Sequence, residues 1–190
     1  MHYWKMMKDQ AFCRTAKFFK NRHKRLAGLL YQVLTDELRL PEMRDGVARE
    51  IVMELEIHAL LEEQLLYPML REAVRPESPV QTYIAVALET GQQLRLPLAA
   101  LKRSGRLDSE HFRPLIQELL SRFEEHVVEV EHRLFPAITA LPREKCERLE
   151  QESQQLLKTL QALPEYAGSR PEVVQDVRGG EQMRKKRAAV

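Results

Sequence analysis

One pattern of residues occurs twice in this chain, and it constrains the fold more than any other feature. The copies are HALLEEQLLYP, residues 58–68, and HVVEVEHRLFP, residues 126–136. Each begins with histidine, has a carboxylate at the fifth following position and another at the third or fourth, and ends in leucine, an aromatic residue and proline. An internal repeat that pairs imidazole with carboxylate on two separate helices is how a helical bundle builds a metal site in its core.

Helical periodicity dominates the chain, and the alternation typical of strands is nearly absent. Apolar residues at helical spacing, interrupted by proline and glycine, predict five helices over about residues 10–38, 41–73, 80–103, 108–140 and 142–163. Four long helices with short connections predict an all-α, up-down-up-down four-helix bundle. The predicted domain is 1–163, with its core at about 14–140 and the extra C-terminal helix at 142–163 packed along the outside.

Residues 164–190 have a different composition, with glycine, proline and the basic run RKKR at 184–187 but few large apolar residues. Such a segment has little to bury, so we expect an extended or disordered basic tail. The whole chain carries a net charge of only +2, which gives no strong field to attract nucleic acid. Nucleic acid is therefore not an expected partner, while a protein partner or a homo-oligomer stays open.

The cysteine content and the apolar runs indicate a cytoplasmic protein that does not insert into a membrane. The two cysteines, Cys13 and Cys146, do not form a disulfide framework or a CxxC pair. No apolar run reaches the ~20 residues that span a bilayer. The sequence also lacks a nucleophile with an activating base, a phosphate-binding glycine loop and a dinucleotide fingerprint, so we do not expect an enzyme.

In the first copy of the repeat, His58 and Glu62 are four residues apart and share one face of a helix. In the second copy, Glu131 lies five residues after His126, about 140° away around an ideal helix. Glu131 therefore reaches the metal of His126 only if the helix is locally unwound or the side chain stretches. Pro136 removes one backbone hydrogen bond, which favours a distortion of this turn.

These two segments, together with a lone histidine on the first predicted helix, resemble the hemerythrin-like, HHE cation-binding family over roughly residues 14 to 140. The resemblance implies a four-helix bundle around non-haem iron, usually two irons bridged by carboxylates, with an open position for O₂ or NO. Carried over by residue, it implies the metal ligands His23, His58, Glu62, His126 and Glu131. Glu62 and Glu131 would be the bridging carboxylates.

The third predicted helix departs from the family pattern, because residues 80–103 contain no histidine. An ungapped alignment places Gly91 where the family has an imidazole. Three interpretations follow: an oxygen ligand from Glu89, Gln92 or Gln93, a water in its place, or loss of the second metal position to leave one metal or none. Classical reversible O₂ carriage relies on a histidine-rich iron pair and is less expected here.

The same residues have other interpretations. The histidine and carboxylate pairs can be buried hydrogen-bonded pairs that need no metal. Glu129 and His132 form the ExxH unit of ferritin-like proteins, but that fold needs two copies and the sequence has one. We expect a non-haem iron protein that binds or senses O₂, NO or iron itself. The alternative is a degenerate, metal-free bundle that acts as a protein-interaction or structural module.

Overall fold

A computed structural model describes residues 14–35, 41–103 and 109–163, and these residues form helices joined by short connections, with no strand among them. The predicted all-α class is therefore confirmed. The parts of the predictions that concern residues 1–13 and the tail at 164–190 lie outside the described residues. No helix in the described ranges is long and apolar enough to cross a membrane.

Five helices follow one another within the described residues. Helix α1 is Arg14–Leu34, and α2 covers 41–73 as Pro41–Leu61, a π-helical turn at Glu62–Leu66 and Tyr67–Ala73. Helix α3 covers 79–103 as Pro79–Gln93 and Arg95–Arg103. Helix α4 covers 109–139 as Ser109–Glu129, a π-helical turn at Val130–Leu134 and Phe135–Thr139, and α5 is Arg143–Gln161.

Proline explains where these helices depart from regular α geometry. Pro97 has no N–H to give the carbonyl of Gln93, and α3 is interrupted by a turn at Leu94. Pro68 and Pro136 each lie two residues after the end of a π-helical turn, next to the aromatic residue whose N–H closes that turn. In these turns the N–H of Tyr67 bonds to the carbonyl of Glu62, and the N–H of Phe135 bonds to that of Val130, five residues back in each case.

The four long helices pack as a closed bundle, with α1 against α2, α2 against α3, α3 against α4, and α4 back against α1. Helix α5 packs on the outside of α1 and α2, including the π-helical turn of α2. The hydroxyl of Thr15 near the start of α1 donates to the backbone carbonyl of Cys146 at 3.1 Å and joins the two helices. The C-terminal helix thus covers the side of the bundle that carries Glu62.

Two apolar clusters make the core, and buried polar side chains lie between them along the helices. On α1, His23 falls between Phe19 of one cluster and Leu26 of the other. On α4, His126 falls between Phe123 and Val130 in the same way. Burying an imidazole or a carboxylate without a partner costs several kcal/mol. The side chains of this polar layer must therefore hydrogen-bond to one another or bind a charged ligand.

Candidate metal centre

Three histidines and one carboxylate from α1, α2 and α4 meet in the polar layer. His23, His58, Glu62 and His126 each expose 2% or less of their surface. The Nε2 atom of every imidazole faces the Glu62 carboxylate, at 3.4 Å for His23, 3.6 Å for His58 and 3.0 Å for His126. The Nε2 atoms of His58 and His126 are 3.3 Å apart.

These separations are those of ligands around one cation. A tetrahedral ion that holds nitrogen and oxygen ligands at 2.0–2.2 Å sets them about 3.4 Å from one another. His23, His58 and Glu62 each offer a ligand atom within 4.8 Å of the other two, whereas His126 lies outside this group and is placed by its contacts with Glu62 and His58. Imidazole nitrogens with a carboxylate are ligands for iron, manganese or zinc, so the residues present fit the metal that the sequence predicts.

Hydrogen bonds on the far side of two rings leave Nε2 as the atom available to a cation. The Nδ1–H of His23 donates to Oε1 of Glu131 at 2.9 Å. Nδ1 of His126 lies 3.1 Å from Oγ1 of Thr90, a hydroxyl that is also 3.1 Å from the carbonyl oxygens of Val86 and Ala87. Because that hydroxyl has one proton to donate to the carbonyls, it accepts from His126 Nδ1–H. Both Nε2 atoms then face the Glu62 carboxylate, where a bound cation would lie between them.

Glu131 occupies a different place from the one expected of a bridging ligand. Its carboxylate bonds Nδ1 of His23 and lies 3.5 Å from Nζ of Lys20, with 19% of its side chain exposed. It thus contacts the ring edge opposite the Nε2 atoms and orients His23, as carboxylates commonly do for metal-bound imidazoles. The helix is locally unwound in a π-helical turn at Val130–Leu134, yet Glu131 contacts Nδ1 of His23 and not the Nε2 atoms.

Tyr67 is a contributor that sequence reasoning did not assign to the site. Its phenol donates to Oε2 of Glu62 at 2.5 Å and is 2% exposed. The signal was present in the repeat, since Tyr67 and Phe135 hold the same position in the two copies. The sequence also gives no indication that Thr90 contacts His126, because Thr90 belongs to no repeat and to no spacing pattern on α3.

Burial and charge act in opposite directions on these groups. Burial lowers the pKa of His58 to about 3, so this imidazole is neutral and has a free lone pair at neutral pH. Burial alone would raise the pKa of Glu62, but His58 and His126 outweigh it and hold that pKa well below its usual range. Burial would lower the pKa of His23, but hydrogen bonds that its ring donates to the carboxylates of Glu131 and Glu62 raise that pKa overall. The centre therefore contains an ionised carboxylate.

Position 91 of α3 faces the centre, as the alignment predicted. A Cβ atom added to Gly91 would lie 3.5 Å from Cε1 and 3.7 Å from Nδ1 of His126. The substitute oxygen ligands do not reach it, because Glu89, Gln92 and Gln93 are all exposed. A cavity of about 370 Å³ lies beside Gly91, and His58, Glu62 and His126 contribute to its wall.

The remaining candidates lie apart from this centre. Glu129 forms an ion pair with Arg133 at 2.6 Å, and His132 is exposed, so the ExxH unit does not join the three histidines. One turn before His58, buried Glu54 accepts from Arg22 at 2.6 Å. That ion pair fastens α1 to α2 next to the centre, which fixes the relative positions of His23 and His58.

Comparison with protein families agrees with this geometry. The model of the hemerythrin HHE cation-binding domain matches residues 14–138, the segment that contains every residue of the centre. Neither the comparison with curated proteins nor that with solved structures gives a match. Because the matched segment covers most of the chain and contains the whole bundle, this protein belongs to the hemerythrin HHE cation-binding domain family.

Proposed function

We propose that this protein binds one iron ion through Nε2 of His23, His58 and His126 and through the carboxylate of Glu62. The observation that carries the proposal is the convergence of three Nε2 atoms on one buried carboxylate, at separations of 3.0 to 3.6 Å. Iron accepts this mixture of imidazole and carboxylate.

A single ion fits this chain better than a bridged pair. A second ion would need Glu131 between the two metals, but its carboxylate lies at Nδ1 of His23 and beside Lys20. It would also need a donor from α3, where Gly91 has no side chain. Non-haem iron sites with histidine and carboxylate ligands can keep open positions, so iron held by these four residues could take a further ligand, and the cavity would give access to it.

The iron, when bound, supplies an open coordination position for O₂ or NO. The protein's part is to hold the ligands, to keep Glu62 ionised and to limit the entry of water through apolar walls. We infer a role in binding or sensing such a ligand, or iron itself, in place of reversible O₂ carriage by an iron pair.

Elemental analysis of protein reconstituted anaerobically with ferrous iron tests the proposal. We expect one iron per chain in the wild type and less than a tenth of that in His58→Ala. His132→Ala, which removes an exposed histidine from the same repeat, is the matched control and retains the metal. Two irons per chain would contradict the single-ion site. A folded wild type that takes up no iron would favour the metal-free interaction module.

A further inference from the structure

The cavity between α2 and α3 is larger than any diatomic ligand requires. Its volume is about 370 Å³, and a water molecule's share of liquid volume is about 30 Å³. The space thus corresponds to roughly a dozen waters, whereas O₂ or NO needs room comparable to one or two. Such a volume lies within the range of pockets that hold small organic ligands.

The cavity is elongated along α2 and α3. Its α2 wall runs from Leu55 to Tyr67 and its α3 wall from Ala87 to Lys102. The α2 wall therefore extends about 18 Å along the helix axis. An extended aliphatic chain can lie along a wall of this length.

Apolar and polar residues occupy different parts of the wall. Glu62, Tyr67 and His126 provide the polar part beside Gly91, where the absence of a side chain leaves the cation position open to the cavity. The remainder is lined mainly by aliphatic side chains, namely Leu55, Leu88, Leu94, Leu98, Ala87 and Ala99. An occupant that matches this wall has an aliphatic body and one polar head.

Two ion pairs join α2 and α3 along the cavity wall. Arg95 of α3 bonds both carboxylate oxygens of Glu63 at 3.1 and 3.2 Å, and Lys102 pairs with Glu56. All four residues line the cavity. Because each cation is paired with a carboxylate, these residues add no net charge to the wall, and the charge that selects a head group is that of the metal centre.

We propose that this cavity binds an unbranched aliphatic carboxylate, with its head at the metal centre and its chain among the leucines. The inference rests on the proposed function, since the bound cation offsets the charge of Glu62 and attracts the head group. The aliphatic chain contributes through burial against apolar walls, at about 0.8 kcal/mol for each methylene removed from water.

Calorimetric titration of iron-loaded protein with octanoate and with acetate tests this proposal, and iron content is measured in every sample. We expect octanoate to bind at least tenfold more tightly than acetate. Ala99→Phe narrows the apolar part of the cavity and should weaken octanoate at least tenfold without changing acetate. Ala85→Phe, the same substitution at an exposed position of α3, is the control and should leave both affinities unchanged.

The outcomes separate the two proposals. Iron-loaded protein that binds octanoate no better than acetate, or Ala99→Phe that retains full octanoate affinity, overturns the cavity proposal alone. Protein that takes up no iron overturns the proposed function. Titration of that metal-free protein with 1-octanol then tests whether the cavity binds an aliphatic chain, because the uncharged head group of 1-octanol needs no cation. If 1-octanol does not bind, the cavity is not an aliphatic site.

Discussion

The two copies of the repeat form similar backbones but contribute differently to the centre. Both contain a π-helical turn that ends at the leucine before the aromatic residue. The α2 copy places His58 and Glu62 together in the buried centre, where Tyr67 donates to Glu62. The α4 copy places His126 there and sends Glu131 to the edge, and Phe135 stacks on His23 with ring centroids 5.9 Å apart.

The difference comes from two positions in the repeat. Glu62 lies four residues after His58, and its carboxylate accepts a hydrogen bond from the phenol of Tyr67. Glu131 lies five residues after its histidine, and Phe135 offers it no hydroxyl. Because the carboxylate of Glu131 is 19% exposed and next to Lys20, it is stabilised by solvent and charge without a metal. The carboxylate of the α2 copy is therefore a proposed metal ligand, whereas the carboxylate of the α4 copy supports His23 of α1.

The largest expected effect separates the two carboxylates. Glu62→Gln should weaken iron binding at least a hundredfold, because it removes a proposed ligand. Glu131→Gln should weaken it about tenfold, as expected for a residue that orients a metal-bound imidazole. Competition with a chelator of known affinity measures both. Equal losses would contradict the distinction and favour a bridging role for Glu131.

The second-largest effect is expected when the aromatic residues of the repeat are exchanged. Tyr67→Phe leaves Oε2 of Glu62 without its phenol donor, and we expect iron affinity to fall about tenfold and the unfolding free energy to drop by about 1–3 kcal/mol. The chelator competition and chemical denaturation of metal-free protein measure these changes. Phe135→Tyr is the matched substitution in the other copy and should change neither value; if it does, the two copies are more alike than the structure indicates.

Thr90→Val probes a contact that only one histidine of the repeat has. His126 donates from Nδ1 to Thr90, whereas Nδ1 of His58 has no hydrogen-bond partner among the described residues. The substitution should weaken iron binding several-fold, toward the lower end of the effect of such supporting contacts. In metal-free protein, ¹⁵N chemical shifts should show a larger share of the Nε2–H tautomer for His126 and an unchanged ring for His58. An unchanged His126 ring would remove Thr90 from this role.

The smallest expected effect is on the pH dependence of metal-free protein. The folded-state pKa of His58, about 3, lies below the unfolded value near 6.5, so the unfolded chain binds more protons and stability falls on acidification. Between pH 7 and 5.5 this amounts to about 1 kcal/mol. His58→Gln should lessen the loss, as denaturation at both pH values would show.

His23 gives a control of opposite sign. Its pKa is raised in the folded protein, so it adds stability below the unfolded value and loses that contribution as pH rises. His23→Gln should therefore make the acid-induced loss steeper. The lowered pKa values of Glu62 and Glu131 act below about pH 4.5, outside this window. Identical slopes in both variants would contradict these assignments.

The sequence was sufficient for the helices and for most residues of the centre, because spacing determines which side chains share a helix face. His58 and Glu62 at four-residue spacing, and His23 within the apolar stripe of α1, required no knowledge of tertiary structure. The atom that each carboxylate contacts did require it. Whether Glu131 reaches the cation or Nδ1 of His23 depends on how α1 and α4 pack and on where Lys20 lies, and no spacing within one helix reports that.

Helix α3 shows the same limit for a different reason. The missing histidine and Gly91 were visible in the sequence, but the resulting space was not, since a cavity is a property of the walls around it. Thr90 likewise gains its role from the ring of a residue on another helix. The interruption at Leu94 was readable from Pro97, yet apolar periodicity alone predicted an unbroken helix.

The four converging side chains come from three of the four bundle helices, and this determines which helices become more rigid when a cation binds. A cation held by α1, α2 and α4 would cross-link three helices, whereas α3 would stay joined to them by packing, the Thr90–His126 hydrogen bond and the ion pairs of Arg95 and Lys102. Amide hydrogens of those three helices should therefore exchange more slowly once iron is bound, while those of α3 change little. Three helices of the bundle would then be more rigid than α3, and α3 forms one wall of the cavity.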